Sequence, residues 1–106
     1  MAHLIGHVTG VSISDAKVLE DLMDQVAVKC DFTVVARAFH QFQPQGATGV
    51  LVLSESHFSA HTYPEDNLVY IDVFCCSASF DPEACGRSIV SIFGASEGRW
   101  QVAHRR

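Results

Sequence analysis

The sequence predicts an α+β fold: a two-layer sandwich of an antiparallel sheet with helices on one face. Three observations lead there. The chain has 106 residues, the length of one domain, 1–106. Two segments carry apolar residues at helical spacing, and the rest of the apolar content falls in short β-rich runs. The elements follow the order β-α-β-β-β-β-α-β, with four strands in succession, which favours an antiparallel sheet flanked by helices. The far face of such a sheet needs a cover, and a homodimer would supply one.

The elements follow in order. His3 to Val11 alternates loosely and reads as a first strand. Asp15 to Val28 places Val18, Leu19, Leu22, Val26 and Ala27 on one helical stripe, with Ser14 as the expected N-cap and Asp15 in the first turn. Thr33 to Phe42 is rich in β-branched and aromatic residues and reads as a strand. Pro44 and Gly46 then turn the chain. Thr48 to Leu53 and Phe58 to Tyr63 are short strands, the second stopped by Pro64. Leu68 to Cys76 alternates and sets Leu68, Tyr70, Asp72, Phe74 and Cys76 on one face, with Cys75 on the other. Asp81-Pro82-Glu83 combines a cap, a first-turn proline and an acid at the positive end of a helix that runs to about Phe93. After the turn Gly94 to Gly98, Arg99 to Ala103 is a last strand.

Composition narrows the function classes. Hydrophobic residues make up 48% and charged residues 18%, a globular balance. The formal net charge of −5 argues against nucleic acid as the main partner and would suit a cationic ligand. No apolar run is long enough for a bilayer, so no membrane partner is expected. The N-terminus lacks the pattern of a signal peptide, and a cytoplasmic location is expected. The four cysteines, at 30, 75, 76 and 85, form no CxxC pair, and a reducing compartment would keep them as free thiols.

Chemistry concentrates between Leu53 and Glu65, where hydroxyls, imidazoles and carboxylates interrupt an apolar chain. Taken alone, this stretch has a structural reading, because Ser and His often sit at strand ends. Other site types fit poorly. His57 and His61 lie four apart, but on a strand that separates them by ~13 Å, so no metal site is expected from them. No nucleophile elbow, Walker loop or dinucleotide fingerprint occurs. The only lysines, Lys17 and Lys29, lie in or at the end of the first helix, which is poor placement for a Schiff-base lysine.

A longer series is more specific. Phe39 to Val50 leads into Leu53-Ser54-Glu55-Ser56-His57, followed by His61-Thr62-Tyr63-Pro64-Glu65, Asp72 to Cys76 and Asp81-Pro82. From about Phe39 to Phe93, in order and spacing, this resembles the short S-adenosylmethionine decarboxylases of bacteria and archaea. The resemblance implies a proenzyme that cleaves itself between Glu55 and Ser56, giving a β chain, 1–55, and an α chain, 56–106. Ser56 would attack the Glu55 carbonyl, and elimination would convert residue 56 into a pyruvoyl group, the cofactor. That group would form a Schiff base with the substrate amine and take up the electrons freed with CO₂.

The resemblance also assigns roles. His61 stands where a base removes the Cα proton during processing, and Thr48 where a hydroxyl residue assists it. Cys76 stands at the proton donor that quenches the carbanion. Phe42 and Glu65 stand where an adenine is stacked and a ribose diol is held. The chain departs from the family pattern at Tyr63, at Asp66-Asn67 and at Ser77. Asp66, a second acid beside Glu65, would suit a basic amino acid such as ornithine or arginine as an alternative substrate to S-adenosylmethionine. An unprocessed, non-catalytic paralogue is the third reading, against which Ser56, His61 and Cys76 stand together.

Overall fold

The computed structural model describes residues 1–106. Its elements are β1 (Ala2–Thr9), α1 (Ala16–Lys29), β2 (Val34–Gln41), β3 (Ala47–Leu53), β4 (Ser56–Tyr63), a 3₁₀ turn (Pro64–Asp66), β5 (Leu68–Cys75), α2 (Pro82–Phe93) and β6 (Glu97–His104). The strands form one sheet in the order β2-β3-β4-β5-β1-β6, and each neighbouring pair is antiparallel. The α+β sandwich expected from the sequence is the fold observed.

Alternation within the strands decides which face is buried. Leu4 and Val8 of β1, Leu51 and Leu53 of β3, Phe58 and Ala60 of β4, and Val69, Ile71 and Val73 of β5 point to one side. Leu19, Met23 and Val26 of α1 and Cys85, Ile89 and Phe93 of α2 meet them there. Fully burying a side chain such as Phe58 stabilises by roughly 1.5–3 kcal/mol. At α2 a glycine permits the contact: a Cβ on Gly86 would lie 2.5 Å from the Trp100 ring, so no larger residue lets that indole of β6 lie against the helix.

The opposite face is left open. Ile5, Val52, Tyr63 and Tyr70 are exposed there, although all sit within strands. No helix is long and apolar enough to cross a membrane. The cap of α1 differs from the expected Ser14. Asp15 is the cap, and its carboxylate accepts from the Lys17 and Val18 N–H groups. The Ser14 carbonyl instead accepts from the Gly46 N–H and from Gln41 Nε2, which ties the start of the helix to the turn after β2.

Candidate active site

The β3–β4 hairpin organises the candidate residues. Its tight connection, Ser54-Glu55, brings Leu53 opposite Ser56, so β4 begins two residues earlier than the expected Phe58. Glu55 has a φ of 64°, in the left-handed region, which costs a residue with a Cβ roughly 1–2 kcal/mol. The end of β5 lies against this turn. The Cys76 N–H donates to Ser56 Oγ at 3.1 Å, and the Cys76 thiol donates to the Glu55 carbonyl oxygen at 3.2 Å. Ser56 Oγ and Cys76 Sγ are 3.7 Å apart. A hydroxyl, a thiol and the peptide bond that follows a left-handed residue therefore meet at one point.

A second group gathers at the far end of the same hairpin. Thr48 and His61 are cross-strand partners, and Thr48 Oγ1 is 2.9 Å from His61 Nδ1. They line an open cavity of about 480 Å³ together with Phe42, Gln45, Tyr63 and Glu65. Gln45 Nε2 donates to Glu65 Oε2 at 3.0 Å and holds that carboxylate over the cavity. Phe42 is 48% exposed, and its ring meets His40 at 71° with centroids 4.7 Å apart. Asp66 is exposed and lies outside the cavity lining, unlike its neighbour Glu65.

The two groups do not meet within one chain. Five residues of extended strand, about 17 Å, separate Ser56 from His61. The sequence-level reading treated them as one constellation; the sheet holds them as two.

Several supporting residues escaped that reading. Gln41 donates from Nε2 to the carbonyls of Ser14, Phe42 and Gly46, and its Oε1 accepts from the Ala16 N–H. It fixes the loop that carries Phe42 and Gln45. Thr62, buried between apolar neighbours, accepts from the Ala47 N–H at 2.8 Å and anchors the start of β3 beside Thr48. A polar residue at an inward strand position was the available signal for Thr62. Cys75 faces away from Cys76, as the alternation predicts, and lines a separate cavity of about 270 Å³ with Cys30 and Cys85. There, hydrogen bonding from Cys85 holds the Cys30 thiol below its ordinary range, while the same contact and burial push Cys85 up.

Comparisons with known proteins identify relatives of this chain. The sequence profile of the S-adenosylmethionine decarboxylase family matches residues 2–106. An S-adenosylmethionine decarboxylase proenzyme of Symbiobacterium thermophilum is 50% identical over 70 residues, covering 66% of this chain and 53% of the relative. One from Clostridium botulinum is 43% identical over 70 residues, covering 66% of this chain and 60% of the relative. The matched stretch thus spans between half and two thirds of those curated relatives. The crystal structure of the adenosylmethionine decarboxylase from Aquifex aeolicus superposes with a TM-score of 0.88 at 28% identity, over 98% of this chain and 88% of that one.

Proposed function

The chain belongs to the S-adenosylmethionine decarboxylase family, and we propose on that premise that it is a self-processing, pyruvoyl-dependent decarboxylase of S-adenosylmethionine that works as a homodimer. The observation that carries the proposal is the convergence of Ser56 Oγ and the Cys76 thiol on the Glu55–Ser56 bond.

That geometry supports the following course of processing. Ser56 Oγ attacks the Glu55 carbonyl carbon, the C–N bond breaks, and the peptide becomes an ester. The Cys76 thiol, hydrogen-bonded to the Glu55 oxygen, stabilises the negative charge that grows there. A base then takes the Cα proton of residue 56, and the Glu55 carboxylate leaves from Cβ. The dehydroalanine tautomerises to an imine, and water replaces its nitrogen, releasing ammonia. Residue 56 is left as a ketone at the new N-terminus. Strain in the left-handed Glu55 is relieved when the bond opens.

Ser56 fits as the source of a pyruvoyl group, which when present supplies an electrophilic carbonyl and an electron sink. The chain's other residues do the rest. Phe42 stacks the adenine, and Glu65, positioned by Gln45, accepts the two ribose hydroxyls. An aromatic face also attracts the sulfonium. Cys76 delivers the proton that replaces CO₂. The exclusion of Asp66 from the cavity lining supports the nucleoside over a basic amino acid.

His61 acts as the base and Thr48 holds its ring, but on the chain's own Ser56 neither can act across about 17 Å. A second copy removes the difficulty. Packing two open sheet faces about a two-fold axis that crosses the strands sets the Ser56 end of one copy against the His61 end of the other. The exposed Ile5, Val52, Tyr63 and Tyr70 are then covered. In a reducing cytoplasm the four thiols stay free, as they are in the fold. Mass spectrometry of the purified protein tests the processing step: it should find fragments 1–55 and 56–106, the second with a blocked, ketone-bearing N-terminus. A single intact chain that decarboxylates S-adenosylmethionine would contradict the proposal.

A further inference from the structure

We propose that His3, His57 and Asp72 form a binding site for one divalent d-block cation, zinc by preference, on the open face of the sheet. Three adjacent strands build it. His57 of β4 and His3 of β1 both pair with Phe74 of β5, so they stand on either side of that residue. Asp72, two residues before Phe74, projects from the same face. Both imidazoles aim the same atom at the same oxygen: His3 Nε2 lies 2.7 Å from Asp72 Oδ1, and His57 Nε2 lies 3.1 Å from it. All three donor atoms fall within 4.8 Å of one another.

That spacing suits a metal. With bonds of ~2.0–2.1 Å, the ligands of a tetrahedral zinc ion are about 3.3 Å apart, so His57 and Asp72 stand near that spacing and His3 has to draw back from Asp72 by about 0.6 Å to admit the ion. Two imidazoles and one carboxylate are borderline ligands of the kind zinc, cobalt and nickel take, and they leave a fourth position open. The rings meet at 87°, so neither blocks the other's approach. Phe74 lies edge-on to His3 and tilted beside His57, with ring centroids 5.5 and 5.9 Å away, and gives the pair an apolar wall. His3 is the most enclosed of the three, its side chain only 14% exposed. The site depends on neither Ser56 chemistry nor the catalytic roles assigned above. In the homodimer proposed above, the site lies on the covered face.

Untagged full-length protein, stripped with chelator, is titrated with cobalt(II) and followed by visible absorption, and zinc(II) is measured by equilibrium dialysis. The expected result is one ion per chain, with the intense ligand-field bands of a four-coordinate cobalt. His57→Ala and Asp72→Asn should each weaken binding by more than tenfold, at least the ~10–100-fold that loss of an outer-shell partner costs. His57 is 43% exposed, so its removal leaves the core intact, and circular dichroism checks this. His61→Ala should bind as the unaltered chain does. Absence of stoichiometric binding, unchanged binding in folded His57→Ala, or loss of binding in His61→Ala would overturn the proposal.

Discussion

The two ends of the β3–β4 hairpin are built differently. At the Ser56 end the chain turns through a left-handed Glu55, and the contacts, brought from Cys76 across the sheet, are aimed at one peptide bond. At the Thr48–His61 end the two strands pair in unbroken register, and the side chains instead open a cavity with an aromatic ring, an imidazole and a carboxylate around it. One end holds a left-handed turn with a hydroxyl and a thiol beside it; the other offers room. A single strand joins them yet keeps them about 17 Å apart. On the proposed reading, a hairpin too small to enclose a substrate carries both halves of a site, and a second copy brings unlike ends together.

Substitutions can sharpen or break this division, beginning with the largest effect. Ser56→Ala should remain one chain and lose all decarboxylation; a denaturing gel reads the first and ¹⁴CO₂ release the second. Efficient cleavage of that variant at the same bond would sink the mechanism. His61→Ala should stop one step later, at the ester, and hydroxylamine should then cleave the chain after Glu55. The same end-specific stall is expected for Thr48→Ala in milder form, since Thr48 acts through the imidazole.

Cys76→Ala should both slow processing and, once processed, lower turnover by ~10²–10⁴, the range for a removed general acid. Cys75→Ala should be far milder, because its side chain points into the helix side of the sheet. Equal losses for the two would show that the proton donor is misplaced. At the cavity end, Glu65→Gln should weaken use of S-adenosylmethionine by about 10–100-fold, from charge-assisted bonds worth ~1.5–3 kcal/mol. The smallest effect belongs to Asp66→Asn, which should leave steady-state kinetics on S-adenosylmethionine nearly unchanged. If Asp66→Asn instead costs more than Glu65→Gln, the cavity has been assigned to the wrong acid.

The α+β sandwich and the order of its elements were legible because alternation and helical spacing are local properties. The strands beginning at His3, Thr33 and Leu68 were readable from residues within each segment. The cap was not, because Ser14 and Asp15 are both good caps. Long-range bonds from Gln41 and Gly46 to the Ser14 carbonyl accompany the choice of Asp15. The start of β4 moved to Ser56 because pairing with Leu53 extends the ladder through residues that lack apolar side chains. The motif residues Ser56, His61 and Cys76 were named from the resemblance, but their division between two ends was hidden. Sequence order places Ser56 and His61 close, and only the extended strand separates them. The His3–Asp72–His57 cluster was invisible for the opposite reason. His3 and Asp72 are 69 residues apart, and only the pairing of β1 with β5 brings them into contact.

In the proposed enzyme each working site takes Ser56 from one chain and His61 from another. Co-expression of Ser56→Ala with His61→Ala, followed by isolation of mixed dimers through two different tags, tests it directly. Each variant alone should be inactive. The mixed dimer should process the His61→Ala chain at its intact Ser56, and an unsorted mixture should recover about one quarter of wild-type sites if the chains pair at random. Mixed dimers that form but neither cleave nor decarboxylate would show that each chain completes its own site, contradicting the account.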